Sequence, residues 1–355
     1  MTPLERTLTA MSGREPDRVP CFLTLTLHGA REMGMSIEEY FSKAANVAEG
    51  QTRLVEKFQH DCLIAAYYGS LDAEAWGGST IFLPDGPPQC GRPVIASPMQ
   101  IDRLQVPRVE DSASLMRAVE TIARLKARFG DEYPIVGMVI APPSLPILQL
   151  GFSGYLDLIA DNPERWQHLL ECNLAFSIAW SNAQLAAGAT AIAYADPCSS
   201  TTVFSADHIR RHHLPLLRRY LAAVQGPVAL ALASGRSRDV FDDLASSGIA
   251  GLMVSTLEDL AELKQQAAGK LTLLGNLNGV TMRNWSQAEA EMQVKEAIRK
   301  AGRGGGFVLC DNHGELPWQI PDHVVHFLRE ATEKWGRYPL TWIEEEARTA
   351  QRGAP

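Results

Sequence analysis

Apolar residues recur along this 355-residue chain in two patterns, short apolar runs and longer stretches with helical spacing. The runs predict strands from Val19 to about Leu27, then at Asp61–Ala66, Pro134–Ile140, Thr190–Ala195, Pro227–Ala233, Gly251–Val254, Leu271–Gly275 and Phe307–Leu309. Helical spacing predicts a short N-terminal helix over Pro3–Met11 and a longer one over Ile37–Phe58 with Tyr40, Ala44, Val47 and Leu54 on one face. Further helices are expected at Ser112–Phe129, at Asp161–Ala187 behind the cap signals of Asn162-Pro163-Glu164, and at Asp322–Trp335. Residues 77–100, rich in Gly and Pro, read as an inserted hairpin over the mouth of the fold. Ser144–Tyr155 reads as an apolar loop able to wall or cover a substrate. Eight strands separated by helices point to an α/β fold of the (β/α)8 TIM-barrel type with an N-terminal helical extension. No repeat or low-complexity linker divides the chain. One domain is expected over residues 1–355, with a core at about 15–338 and a surface tail at 339–355.

A hydrophobic content of 46% supplies a large core, and the net charge of -8 argues against a nucleic-acid footprint, which needs a clustered basic face. The same charge argues mildly against a polyanionic substrate held by bulk attraction. Six cysteines are scattered without a CxxC pair, which suits reduced thiols. The polar N-terminus is unlike a signal peptide, and no apolar run is long enough to cross a bilayer, so no membrane association and a cytoplasmic location are expected.

In a barrel of this type the connections after the strands converge on one face. The richest of them is the stretch Gly304–Pro321, where a glycine run feeds an apolar strand and then Cys310, Asp311, Asn312, His313 and Glu315 arrive together. The glycines precede a strand and lack the lysine of a phosphate loop, so a nucleotide site is discounted. His313 could be an acid, a base or a metal ligand, or a loop histidine bonded to a carbonyl. Glu315 could orient His313, bind a cation or cap a turn. Tyr68 joins them as a catalytic candidate. His28, Arg31, Tyr67, Asp196, Asn276 and Asn278 are candidate substrate contacts at other strand ends, although Asp196 and one of the two asparagines could equally hold turns. His313, Cys310, Glu315 and Asp196 form a candidate metal set, against the ordinary behaviour of a barrel cysteine as a small buried hydrophobe.

Thr2-Pro-Leu-Glu-Arg-Thr-Leu followed by Gly13-Arg-Glu-Pro-Asp-Arg-Val-Pro20 resembles the N-terminal signature of the uroporphyrinogen decarboxylase superfamily. Gly275-Asn276-Leu277 and Gly304–Leu309 resemble its later strands, so the likeness runs nearly end to end. It implies a (β/α)8 barrel with a central cleft, and either porphyrinogen decarboxylation or methyl transfer involving corrinoid proteins. Asn312-His313-Gly314-Glu315-Leu316-Pro317 is similar to the decarboxylase pattern, with His313 in the matching place. The arginine-bearing first loop of the decarboxylases is replaced by Leu25–Arg31, and their catalytic aspartate falls on Tyr68. A many-carboxylate substrate needs several bidentate cations, and only Arg31 is offered.

The methyltransferase branch is the closer likeness. Its thiol-methylating members hold zinc with a His-x-Cys pair and a later cysteine, which here fall on Leu232, Ser234 and a position near Asn312 or His313. The standard zinc site is therefore absent, with zinc left open only for the unconventional set above. The resemblance implies a corrinoid (cobalamin) carried by a partner corrinoid-binding protein, and homodimers occur in the superfamily. The expected reaction is demethylation of a methoxy or similar small-molecule methyl donor. The alternative is a decarboxylase or lyase acting on a smaller carboxylic acid.

Overall fold

The computed structural model describes residues 1–65 and 67–352. Ala66, the last residue of the expected second strand, lies outside them, as does the end of the tail. The chain begins with α1 (Pro3–Met11), and its start is written in the sequence. Thr2 accepts from the Glu5 amide at 3.1 Å, Glu5 reaches back to the Thr2 amide at 2.9 Å, and Pro3 occupies the first helical turn where no amide donor is needed.

The signature that follows is a fastening. The Asp61 carboxylate receives Arg6 at 2.7 Å, Arg18 at 2.6 and 2.9 Å, and the Cys21 amide at 2.7 Å. Arg6 also grips Asp17 at 2.7 and 2.8 Å. The three central groups are buried, and each charge has its partner, which is the condition under which buried ions are tolerated.

The strands are β1 (Leu63–Ile64), β2 (Thr80–Ile81), β3 (Gln89–Cys90), β4 (Ile135–Ile140), β5 (Ala191–Ala195), β6 (Val228–Ala231), β7 (Gly251–Met253), β8 (Thr272–Leu277) and β9 (Phe307–Asp311). β2 and β3 pair antiparallel as the expected inserted hairpin. The other strands form one seven-stranded parallel sheet in the order β1-β4-β5-β6-β7-β8-β9, with helices in the connections. The sheet curls until its edges approach a shared segment. The Leu309 amide donates to Pro20 at 2.9 Å and the Phe22 amide to Leu309 at 2.8 Å. On the other side the Asp61 amide donates to Cys21 at 2.8 Å.

That seam is all the regular pairing in the expected strand from Val19 to Leu27. Cys21 bridges Leu309, and the chain then turns into α2 (His28–Met33). The expected helix over Ile37–Phe58 is two helices, Ile37–Ser42 and Ala44–Phe58, separated at Lys43, whose backbone is extended. Ser144–Tyr155 is not a loop. Leu145–Leu150 and Phe152–Asp161 are helices broken at Gly151, whose φ of 76° interrupts the turn. Residues 339–352 also depart from a plain surface extension, because Trp342–Arg352 is helical and the Trp342 indole donates to the Trp335 carbonyl at 3.1 Å. Asp322–Trp335 is helical as its spacing predicts.

Alternate positions of the parallel strands face inward. Val136 and Met138, Ala191 and Ala193, Ala229 and Ala231, and Thr272 and Leu274 border an internal cavity of about 460 Å³. No helix among the described residues is long and apolar enough to cross a membrane.

Candidate active site

β9 ends in Asp311, and that carboxylate organises the loop beyond it. One oxygen accepts the amides of His313 and Gly314, both at 2.7 Å, and the other accepts the Thr24 hydroxyl. Gly314 has φ of 92°, a left-handed conformation that glycine adopts without a Cβ clash. The Leu316 amide donates to the Thr24 carbonyl at 3.0 Å. Arg31 holds the far side of the loop, donating to the carbonyls of Trp318 at 2.7 Å and Ile320 at 3.1 Å and to Asp322 at 2.7 Å. Its guanidinium also lies 5.6 Å from the Trp318 ring centre, within cation–π range.

Arg31 is therefore a clamp on the loop, with its donors committed to protein oxygens. Arg31→Ala is expected to cost about 1.5–3 kcal/mol, the range for hydrogen bonds to charged groups. It should speed amide exchange at residues 316–321, which hydrogen-exchange mass spectrometry would read.

The loop and the segment it is tied to carry polar atoms that are shielded from solvent and have no protein partner. They are Glu315 Oε1, His313 Nδ1, Asn312 Oδ1, Thr26 Oγ1, the Tyr67 hydroxyl and both ring nitrogens of His28. Such groups are rare in folded proteins because each forgoes its hydrogen bond with water. Burial pushes the Glu315 carboxyl up to about 7, against the pull of the adjacent Thr26 hydroxyl, which lies outside good hydrogen-bond geometry, and with Asp311 adding to the rise. Tyr67 is driven well above the phenol range by burial and by Asp72 and Glu315, so it remains an O–H donor. Burial, with Arg31 adding to it, lowers His28 to about 3, leaving a neutral imidazole at physiological pH. A protonatable acid, a hydroxyl donor and a neutral imidazole can polarise and protonate a neutral oxygen. The backbone of Gly279 packs against His313, where an added Cβ would stand 3.3 Å from Nδ1.

Other expected contacts are engaged with protein partners. The Tyr68 hydroxyl donates to Glu74 at 3.0 Å and its ring packs on Phe41 and Phe82, so it is bound into the wall beneath the hairpin. Asp196 accepts Ser144 at 2.6 Å and Ser199 at 2.5 Å. It is a buried turn anchor, raised to about 6 by burial against the pull of those two hydroxyls. Asn278 caps the short helix Gly279–Met282 by accepting two amides at 3.1 and 3.2 Å, and Asn276 donates to the Ser255 carbonyl at 3.1 Å. The apolar residues 145–152 do not border the internal cavity, and Phe152 is exposed.

His313, Cys310, Glu315 and Asp196 are not brought together. No cluster of three or more His, Cys, Asp or Glu able to hold a metal exists among the described residues. Burial first, then Asp311, raises the Cys310 thiol well above its usual range, and its sulfur is turned to the Asp311 carbonyl at 3.0 Å.

Two of the positions onto which the resemblance would place zinc ligands, Ser234 and Asn312, do meet, but without zinc chemistry. Asn312 Nδ2 donates to Ser234 Oγ at 3.1 Å and to Thr256 at 3.3 Å, while Ser234 Oγ donates to the Asn312 carbonyl at 3.1 Å. Leu232 is buried. A hydroxyl, an amide nitrogen and an alkyl chain do not fit zinc, which takes thiolate, imidazole or carboxylate. Ala233 and Ser234 have φ of 46° and 69°, an unfavourable left-handed pair for residues with a Cβ. The Ser255 hydroxyl supports the turn by donating to the Ser234 carbonyl at 2.8 Å.

Thr26 and Asp72 belong to this region but are not among the residues expected from sequence. Thr26 had a signal, since Thr24, Thr26 and His28 alternate with Leu23, Leu25 and Leu27. Asp72 had none. It sits on the short helix Leu71–Ala75, is raised to about 7 by burial, and accepts the Ile140 amide at 2.6 Å and the Trp180 indole at 3.1 Å.

The family model described as uroporphyrinogen decarboxylase matches residues 2–335. Over 280 residues the chain is 26% identical to the methylcobamide:CoM methyltransferase MtaA of Methanosarcina barkeri, covering 77% of this chain and 81% of that protein. Over 350 residues it is 27% identical to the uroporphyrinogen decarboxylase of Xanthomonas axonopodis pv. citri, covering 90% of this chain and 95% of the relative. Among solved structures, a methyltransferase from Methanosarcina mazei shares the fold with a TM-score of 0.82 at 22% identity, over 94% of this chain and 99% of that one.

Proposed function

The chain belongs to the uroporphyrinogen decarboxylase family, and we propose that within it this protein is a corrinoid-linked methyltransferase. Its donor is a methoxy or similar small molecule, and its acceptor is a corrinoid on a partner protein. The curled sheet with its Pro20–Phe22 seam is read as a (β/α)8 barrel, with the site at the carboxyl ends of the strands.

The observation that carries the proposal is Glu315, a shielded carboxyl raised to about 7 with an uncommitted oxygen beside other unpartnered polar atoms. Breaking a methyl–oxygen bond leaves an oxygen that needs a proton, and Glu315, raised into the neutral range, can supply one. Tyr67 and Thr26 orient the donor oxygen by hydrogen bonding. His28, neutral and enclosed, completes the wall, and His313 is the second proton-carrying candidate. The corrinoid supplies the nucleophile that takes the methyl group. The neutral Ser234–Asn312 pair suits this chemistry, which requires no activated thiol on the barrel. Leu257 and Val280, 62% and 55% exposed after β7 and β8, give the mouth an apolar rim against which a carrier protein could dock.

The test supplies purified protein with a reduced corrinoid protein and a panel of methoxylated aromatic and aliphatic compounds. Stoichiometric appearance of a demethylated alcohol or phenol, dependent on the corrinoid protein, is the expected result. Carbon dioxide released from a small carboxylic acid without any corrinoid would replace this reading with the decarboxylase one.

A further inference from the structure

The hollow interior of the sheet is a mostly apolar feature that the proposed reaction leaves without a role. Barrel interiors of this class are ordinarily filled by layers of bulky branched side chains. Here the inward positions of β5 and β6 are alanines, at 191, 193, 229 and 231, and the resulting cavity of about 460 Å³ lies within the range of small-molecule sites. It begins beneath α1, where Leu8 and Met11 border it, and runs to Gly314 on the underside of the catalytic loop.

The chemistry of its wall is narrow. Lys270 is the charged residue that borders it, and that side chain is exposed. The hydroxyls along the wall are already engaged. Thr7 donates to Pro3 at 2.8 Å, Ser12 to Thr9 at 2.8 Å, Thr272 to Met11 at 3.3 Å and Thr24 to Asp311, while Thr190 accepts the Ile135 amide at 3.1 Å. An enclosed water needs about two to four polar partners, which this wall does not readily offer. An apolar occupant needs none.

We propose that the interior of the curled sheet is a binding site for a neutral, apolar small molecule, an aromatic ring or alkyl chain, entering at the N-terminal edge of the strands beneath α1. The cavity stops at Gly314 without Glu315 in its wall, and the proposal stands whether or not the methyl-transfer reading holds.

Naphthalene, neutral and fluorescent, is a suitable probe for the full chain. Saturable binding with one naphthalene per protein is expected, with at least a tenfold loss of affinity in Ala193→Leu and in Ala231→Leu, each of which fills the lumen. Circular dichroism and thermal unfolding check that the variants fold. In the wild type, naphthalene should slow amide exchange in residues 3–11 and 191–195, a readout that needs no variant. Absence of saturable binding overturns the proposal. So does undiminished affinity in the folded variants, or protection confined to other segments, because each places the probe elsewhere.

Discussion

Replacing Glu315 by glutamine is expected to lower kcat for methyl transfer by about 10²–10⁴-fold, the usual contribution of a positioned general acid. Glutamine keeps the size and the hydrogen-bonding end but carries no transferable proton. KM should change little, since the polar atoms of Tyr67 and Thr26 remain to meet the donor. The pH profile separates this role from simple packing. With the carboxyl raised to about 7 by burial, the wild-type rate should fall as pH rises through that value, and the variant's residual rate should be flat there.

The same substitution should raise stability at alkaline pH even though it lowers the rate. The folded carboxyl titrates near 7 and the unfolded one near its ordinary 4.5, so the folded state retains a proton that the unfolded state has lost. The contribution of Glu315 to stability is thus fully present below 4.5 and is lost as pH rises through about 7. Glu315→Gln, which never ionises, should have a higher Tm than the wild type at pH 8, with the difference closing near pH 4. A lower Tm at pH 8 would show that the carboxylate is stabilised by partners and is not a poised acid.

The largest expected effect on folding is at Asp61. Asp61→Ala strands Arg6 and Arg18, which are only 8% and 5% exposed, without their central counter-charge. Removing one partner from a buried ionic cluster costs about 3–5 kcal/mol. Equilibrium urea unfolding should show that loss as a lower midpoint at unchanged slope. Asp61→Asn should lose less, because its amide oxygen still accepts one guanidinium. An Asp61→Ala midpoint within error of the wild type would mean that the arginines find water instead.

The run of strands and helices could be read from the sequence because short apolar runs and 3.6-residue spacing dominate a chain whose parallel sheet is covered by helices. Two misreadings have local causes. Residues 144–155 follow directly on a strand end and read as an apolar loop, yet Pro146 sits at the start of the helix Leu145–Leu150, where proline costs no hydrogen bond. Alternation through Leu27 suggested a long first strand, whereas only Cys21 pairs regularly.

For the site, the density of polar residues after Leu309 marked the loop of His313 and Glu315, and His28 and Tyr67 share its unpartnered character. What the sequence could not convey was which polar groups are already taken. Arg31, Tyr68, Asp196 and Asn278 sit near strand ends exactly as substrate contacts would, but spend their hydrogen bonds on Trp318, Glu74, Ser144 and the amides of Val280 and Thr281. Commitment of that kind is a property of the folded partners and leaves no trace in residue type.

The seam also bears on how the protein is made. Thr24 meets Asp311 and Leu316, and Arg31 meets Trp318 and Asp322, contacts spanning up to 292 positions of the chain, from Thr24 to Leu316. A ribosome delivers the first of these groups long before the second. Until then the segment around Thr24 and His28 has neither its edge partner nor its loop, and the nascent chain presents an unclosed sheet edge. The site therefore comes into existence only after residues 311–322 have been made, in one closing step that joins them to residues 24–31.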